Sequence, residues 1–352
     1  MQSYDIENEI VRHYAGSISY GTNLPTSDVD VRGVFCAGKK EICTPFFPVR
    51  EVSLPDHEDG KLYELSTFMK LYLDCNPNII ETLWVDDSDI ISSSWQYELL
   101  QKFRQDLLSS KVAFTFSGYA LSQLKRIKGH NKWINNPQPK EKPQHRQFLK
   151  MVRNFGNEKI LPRDFDIGLF SGTGWSLVHY GSDIYGIVYG SGGCKVLDSK
   201  GDFNISAKQD TSDHPITETR PRLILKYISD EYKKAKENHR GYWEWKDNRN
   251  QKRSELEEEF GYDTKHAMHL VRLLRMGEEI LSGEGVIVKR PDADELLSIR
   301  AGSWGYEKLV KYAEMKDNYI RGELYKNTDL RKKPNIKLAA DILMRCQHEI
   351  WD

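Results

Sequence analysis

Residues 10–15 (IVRHYA) form a short apolar-weighted run that predicts a strand, and residues 29–37 (VDVRGVFCA) alternate so that neighbouring side chains leave opposite faces of a second one. A Gly/Ser/Thr/Asn/Pro-rich stretch separates them, the composition of a turn region. Leu62 and Tyr63 mark a third strand. Directly after it, Leu65, Phe68, Met69 and Tyr72 recur at i, i+3, i+4 and i+7, which predicts an amphipathic helix. Asn76-Pro77 supplies a cap and a first-turn proline for another helix reaching Trp84. Farther on, the pattern predicts a helix at about 117–128 and a Pro/Asn/Gln/Lys loop at 135–144. A small β-rich insert follows at about 165–210, where GSGG at 190–193 reads as a hairpin turn. From about residue 221 helical periodicity prevails, and over 263–281 Ala267, Leu270, Val271, Leu274 and Leu281 form the buried stripe. The expectation is an α+β chain with a mixed-sheet domain over 1–110 and a mostly helical region over 111–352 that carries the insert.

Composition changes this picture little until charge is resolved along the chain. No stretch approaches the ~18 consecutive apolar residues of a membrane span. The start MQSYDIENEI lacks the basic and apolar regions of a signal peptide, so a cytoplasmic protein with no membrane partner is expected. Five scattered cysteines without a CxxC pair argue for reduced thiols rather than disulfides or a four-cysteine zinc site. The 51 Lys+Arg and 52 Asp+Glu almost cancel, yet residues 1–100 hold 7 basic and 17 acidic side chains. Residues 120–154 reverse this with nine Lys/Arg against Glu141 alone, interleaved with Trp133 and Phe148 and preceded by Tyr119. Cations among stacking faces suit a polyphosphate or a nucleic-acid strand. A milder basic stretch over 220–253 reads equally well as a solvated helix face.

The densest chemistry lies in AGSISYGTNLPTSDVDVRG, residues 15–33. Gly16-Ser17 follows an apolar strand and opens a turn, where a missing Cβ and free N–H groups let a phosphate approach. Asp28 and Asp30 stand at i and i+2 of a strand, so their side chains leave the same face. Two carboxylates so placed repel unless a divalent cation lies between them, and hard oxygen ligands suit Mg2+ or Mn2+ bridging to substrate phosphates. Each piece alone is common in loops; the joint spacing is the signal.

That spacing, GS-x3-G-x5-SD-x-D, resembles the signature of the DNA polymerase β-like nucleotidyltransferase superfamily, with Gly16, Ser17, Gly21, Ser27, Asp28 and Asp30 on its positions. The extension through Arg32-Gly33, the segment DGKLYELSTFMKLYL and the following NPNIIETLW resemble the narrower RlaP-like group of predicted nucleotidyltransferases. Residues 116–133 and 260–281 are similar to its tailed-phage branch, which would place the protein in the host cytoplasm. The resemblance implies a polymerase β-like catalytic domain in which three carboxylates hold two metal ions and a hydroxyl attacks the α-phosphate of an NTP as pyrophosphate leaves. Asp59 is the expected third carboxylate, because the family's Asp stands four residues before the aromatic that Tyr63 matches; Asp56, Glu58 and Glu64 compete for the role. Ser27 joins Gly16 and Ser17 in the expected nucleotide site.

Later in the chain, Lys265, His269 and Arg272 recur at i, i+4 and i+7 away from the buried stripe, as cations able to reach phosphates. His266 and His269 have no ligand partner at a zinc spacing. Tyr119, Gln123, Arg126 and His130 share one helix face, and Tyr119, Lys125, Arg126, Lys128, His130 and Lys132 make the expected acceptor-binding block. Trp243, Trp245, Asn248, Arg249 and Asn250 form a further aromatic and polar run. Together these readings predict a metal-dependent enzyme taking Mg2+ or Mn2+ and NTP, with an RNA end such as that of a tRNA as acceptor. Transfer to a small molecule or a protein side chain would need no long basic surface, and a catalytically dead RNA-binding protein would not need both Asp28 and Asp30.

Overall fold

Strands β1 (Glu9–Ala15) and β2 (Asp30–Phe35) are the two apolar-weighted runs of the N-terminus, paired antiparallel so that His13 faces Arg32 and Ala15 faces Asp30. The structure, a computed structural model, describes residues 8–46, 48–54, 57, 59–154, 166–190, 194–207, 220–248 and 259–352. Asp56, Glu58, Ser191, Gly192, Gly193, Arg249 and Asn250 lie outside the described residues. The chain divides into two compact units, Met1–Asn135 with Gln251–Asp352, and Asn136–Asn250.

In the first unit a single short helix, α1 (Ser17–Tyr20), joins β1 to the loop before β2, and α2 (Lys39–Cys43) follows β2. With β3 (Glu51–Ser53), β4 (Lys61–Glu64) and β5 (Ile90–Ser93) they build a mixed sheet in the order β3-β4-β2-β1-β5, in which β2 and β4 are the parallel pair. Glu64 ends β4 and starts α3 (Leu65–Leu73), its carboxylate accepting from the N–H groups of Ser66 at 2.7 Å and Thr67 at 3.1 Å. The expected stripe Leu65, Phe68, Met69 and Tyr72 is buried against the sheet's core. Each such side chain stabilises the fold by roughly 1.5–3 kcal/mol. Asn76 caps α4 (Pro77–Ile80) by accepting from Asn78 N–H, and a 3-10 turn carries the chain on to Leu83. Helix α5 (Trp95–Lys102) leads to α6 (Val112–Asn135), twice the length its basic centre suggests: Val112, Ala113 and Phe116 extend its buried face toward the N-terminus, and the helix also runs on past 128 to Asn135.

The second unit has its own core around Ile187, Phe203, Leu223 and Leu225. Strands β6 (Leu149–Asn154), β7 (Trp175–Gly181), β8 (Ile184–Tyr189) and β9 (Leu223–Tyr227) pair antiparallel in the order β6-β9-β8-β7. The sheet thus takes its β6 and β9 from outside the 165–210 segment that the sequence marks as β-rich. Helix α7 (Ser229–Asp247) follows β9.

Returning to the first unit, α8 (Thr264–Leu281) is capped by Asp263, which accepts from His266 N–H at 3.0 Å. It packs along α6: Ala120, Leu124 and Ile127 meet Ala267, Leu270, Val271 and Leu274 in one core. Gly277 lets the two helices approach closely at this crossing: a Cβ there would lie 3.1 Å from Phe116 Cβ, a tight contact. All five cysteines are free thiols, and among the described residues no helix is long and apolar enough to cross a membrane.

Candidate active site

The site begins at the end of β1. Gly16 adopts φ +63°, a left-handed conformation that L side chains rarely occupy, and a Cβ built on it would lie 2.3 Å from Asp30 Oδ2. The glycine is therefore fixed twice, by its backbone and by the carboxylate that β1–β2 pairing sets beside it. Its carbonyl accepts from Tyr20 N–H and from the Ser19 hydroxyl, both at 3.1 Å, which closes the turn into α1. A methyl at Gly16 would therefore collide with Asp30 before it obstructed any phosphate.

Asp30 is half-buried, and its pKa is raised by burial and by the nearby charges of Asp59 and Asp28, against the pull of Arg32 and Lys265. Asp28 is exposed just before β2. Asp59 is exposed in the turn before β4, where its carbonyl accepts a hydrogen bond from the Arg32 guanidinium. Parallel pairing sets Arg32 opposite Lys61, and Asp30 and Asp59 each stand two residues before that pair. Burial alternates accordingly: Lys61 and Tyr63 are partly exposed while Leu62 and Glu64 are buried. Glu64, one of the competing carboxylates, is occupied as the cap of α3 on the other face. Among the described residues no three of His, Cys, Asp and Glu stand together in ligating geometry.

A cleft of about 480 Å³ opens over this corner. The sheet contributes Gly16, Asp30, Arg32 and Tyr63; α6 contributes Tyr119, Gln123 and Arg126; α8 contributes Lys265, His266, His269 and Arg272. Tyr20, Asn78 and Glu81 complete the wall, so Asp30 and Glu81 are the acids among four Lys/Arg and two histidines. Arg272 does not sit on the solvent-facing cation stripe that the helical period predicts. It is only 4% exposed, donates to Glu81 Oε1 at 2.7 Å, and lies 3.7 Å from the centre of the Tyr20 ring, whose hydroxyl donates to Glu81 Oε2 at 2.6 Å. His269 also departs from the cation reading: burial, with Arg272 and Lys265 adding to it, lowers its pKa from 6.5 to about 3, so it faces the cleft as a neutral imidazole.

The remaining expected residues divide. Tyr119 and Arg126 line the cleft, whereas Lys125 and Lys132 are exposed and, at ~100° per residue, point about 120–140° around α6 from Tyr119. His130 lies a turn farther along, 3.8 Å from the Asp263 carboxylate and stacked near Trp133, and is not part of the lining. Lys128 pairs with Glu314 at 3.3 Å. Ser17 is the first residue of α1 but not a wall of the cleft. The Ser27 hydroxyl accepts from Leu24 N–H at 2.8 Å and closes a local turn instead. Sequence reasoning missed Tyr20, Glu81 and the Tyr63 wall. Glu81 carried a signal, an acid inside the apolar run IIETLW, which calls for a buried partner.

Residues 8–153 match the family model described as the RNA repair pathway DNA polymerase beta family, RlaP. The match is to a polymerase β-like family, spans less than half of the chain, and covers the part that holds Gly16, Asp28, Asp30, Asp59 and the cleft face of α6. No curated protein and no solved structure matches the chain.

Proposed function

We propose that this protein is a metal-dependent nucleotidyltransferase that moves NMP from an NTP to a hydroxyl at an RNA end and releases pyrophosphate. The observation that carries the reading is the corner where the Gly16 turn abuts the Asp30 carboxylate, with Asp28 and Asp59 electrostatically coupled to it and cationic walls across the cleft. Asp28, Asp30 and Asp59 fit a divalent cation in donor chemistry, since all three offer hard oxygen atoms and their mutual repulsion is what a cation offsets. Bound there, Mg2+ or Mn2+ would neutralise triphosphate charge and raise the acidity of a coordinated hydroxyl.

The chain's own groups supply the rest. Gly16 leaves room for phosphate oxygens against the turn, and Lys265 with Arg32 places positive charge beside them. Arg272, fixed by Glu81 and Tyr20, shapes the wall and adds a charge held at one position. Neutral His269 can donate or accept a hydrogen bond without competing for the metal's share of negative charge. Tyr119 offers a face for stacking and Arg126 a cation at the open edge of α6. The family description favours RNA as acceptor over a small molecule or protein side chain. Incubation with each α-32P-labelled NTP, Mg2+ or Mn2+ and a total RNA pool tests this: label should enter RNA with the native protein and not with Asp30→Asn. Label that enters only protein or small molecules would reject the RNA acceptor.

A further inference from the structure

The second unit holds a cleft of its own, of about 730 Å³, between the loop at 139–143 and one face of α7. Its frame is tied: the Pro139 carbonyl accepts from Trp243 Nε1 at 3.1 Å and is 3.0 Å from His239 Nε2, so the loop is pinned to the helix by two side chains one turn apart. Tyr232 and Trp243 line it, both partly exposed, with buried His239 between them; the Tyr232 ring is backed by His145 at 4.1 Å between centroids and Lys246 lies over the Trp243 ring at 5.2 Å, so each presents its remaining surface to the cleft. They are eleven residues apart on α7, a rise of roughly 16 Å at 1.5 Å per residue. Cations flank this aromatic floor, Lys140 and Lys142 from the loop and Lys233, Lys236 and Arg240 from the helix.

These cations are not equivalent. Arg240 is engaged by Glu237 and by Glu244 at 3.7 Å, and Lys233 pairs with Asp230 at 3.6 Å. Lys140, Lys142 and Lys236 are exposed and enter no ion pair among the described residues. The lining also holds Glu237, Glu244 and Asp247, of which the two glutamates are taken up by Arg240, so the three ammonium groups outside ion pairs keep the cleft cationic around its aromatic rings. They match a ligand with negative charges repeated along one edge and flat rings along the other. A lone phosphate would use the cations and leave the rings idle, and an acidic peptide would do the same. A single nucleic-acid strand uses both, by stacking its bases on aromatic faces while lysines follow its phosphates. A span of ~16 Å accommodates several nucleotides, since stacked bases advance about 3.4 Å each along one strand.

We infer that the cleft between residues 139–143 and α7 is a binding groove for single-stranded RNA, with Tyr232 and Trp243 stacking bases and Lys140, Lys142 and Lys236 contacting phosphates. It gives the RNA acceptor of the proposed reaction a holding site outside the catalytic cleft, and rests on that reading only for the choice of RNA as the strand. The groove is distinct in residues from the basic face of α6 that the charge pattern singles out.

The test uses the full chain and a fluorescently labelled single-stranded oligoribonucleotide, followed by anisotropy over a range of salt. Lys140→Glu with Lys236→Glu, both at exposed positions, should weaken binding about tenfold or more and reduce the slope of log K against log salt by ~0.7 for each lost phosphate contact. Trp243→Ala should weaken it about tenfold at unchanged slope, with partial recovery in Trp243→Phe, which keeps a stacking face. Asp30→Asn should bind RNA as the native protein does. Unchanged affinity in both the double charge reversal and Trp243→Ala would overturn the groove, as would failure of the native protein to bind the oligoribonucleotide. An acidic peptide that competes the RNA off, with RNA affinity insensitive to Trp243→Ala, would assign the cleft to protein instead. A native protein that binds RNA here and transfers no nucleotide leaves the groove standing and removes the proposed reaction.

Discussion

Asp30 is a half-buried carboxylate whose ionised form is disfavoured by burial and by the charges of Asp59 and Asp28, so ionising it at neutral pH costs stability. Asp30→Asn should therefore leave the protein folded and slightly more resistant to denaturant at neutral pH while abolishing transfer. Loss of stability in that variant would contradict the repulsion. Gly16→Ala should cost about 1–3 kcal/mol through its left-handed backbone and also displace Asp30, so denaturation and metal-dependent nucleotide binding should fail together. His13 and His269 are buried with pKa values lowered by burial to about 4 and about 3. Their neutral forms belong to the fold, so the stability they support is complete above pH 6.5 and is lost as pH falls through that value toward the lowered pKa. NMR titration of His269 with a midpoint near 6.5 would refute it. Gly16, Asp28 and Asp30 stand out in the sequence because their chemistry is local and their spacing rigid. Arg272 could not be read the same way: its partner Glu81 is 191 residues away, and no helical wheel contains that contact.

The helices carry the cleft's walls, and here periodicity was informative where both faces of an element were considered. Tyr119, Gln123 and Arg126 share one side of α6 as their spacing requires, while Lys125 and Lys132 share the other; a count of basic residues merges the two sides. Arg126→Glu should weaken NTP or acceptor binding in the cleft, and Lys125→Glu should leave NTP binding unchanged. Equal effects in a binding titration would mean that general charge, not position, governs the cleft. The α1–α4–α8 junction depends on the pair Glu81–Arg272. Glu81→Gln removes the counter-charge of a buried guanidinium and should destabilise the protein by about 3–5 kcal/mol in chemical denaturation. A loss below ~1 kcal/mol would show that Arg272 finds another partner. The length of α6 was legible only in part, since its first turns are apolar and owe their helicity to packing in the core rather than to its basic centre.

For the whole molecule, block charge does not translate into place: of the acids in the first hundred residues Asp30 and Glu81 line the cleft, and of the basic block Arg126 does. The α+β class and three strands of the first sheet follow from strand and helix periods near the N-terminus, whereas β3, β5 and the parallel β2–β4 pairing do not. The second sheet did not, because β6 and β9 lie in sequence on either side of the β-rich segment and become neighbours only through long-range pairing. In the proposed reaction one corner, at Asp30, holds metal and triphosphate together. Isothermal titration of a non-hydrolysable NTP, with and without Mn2+, into native protein and Asp30→Asn tests that corner most directly. The prediction is binding that Mn2+ strengthens in the native protein and leaves unstrengthened in Asp30→Asn. The same Mn2+-dependent gain in both proteins would place the metal and the nucleotide away from Asp30 and contradict the central claim.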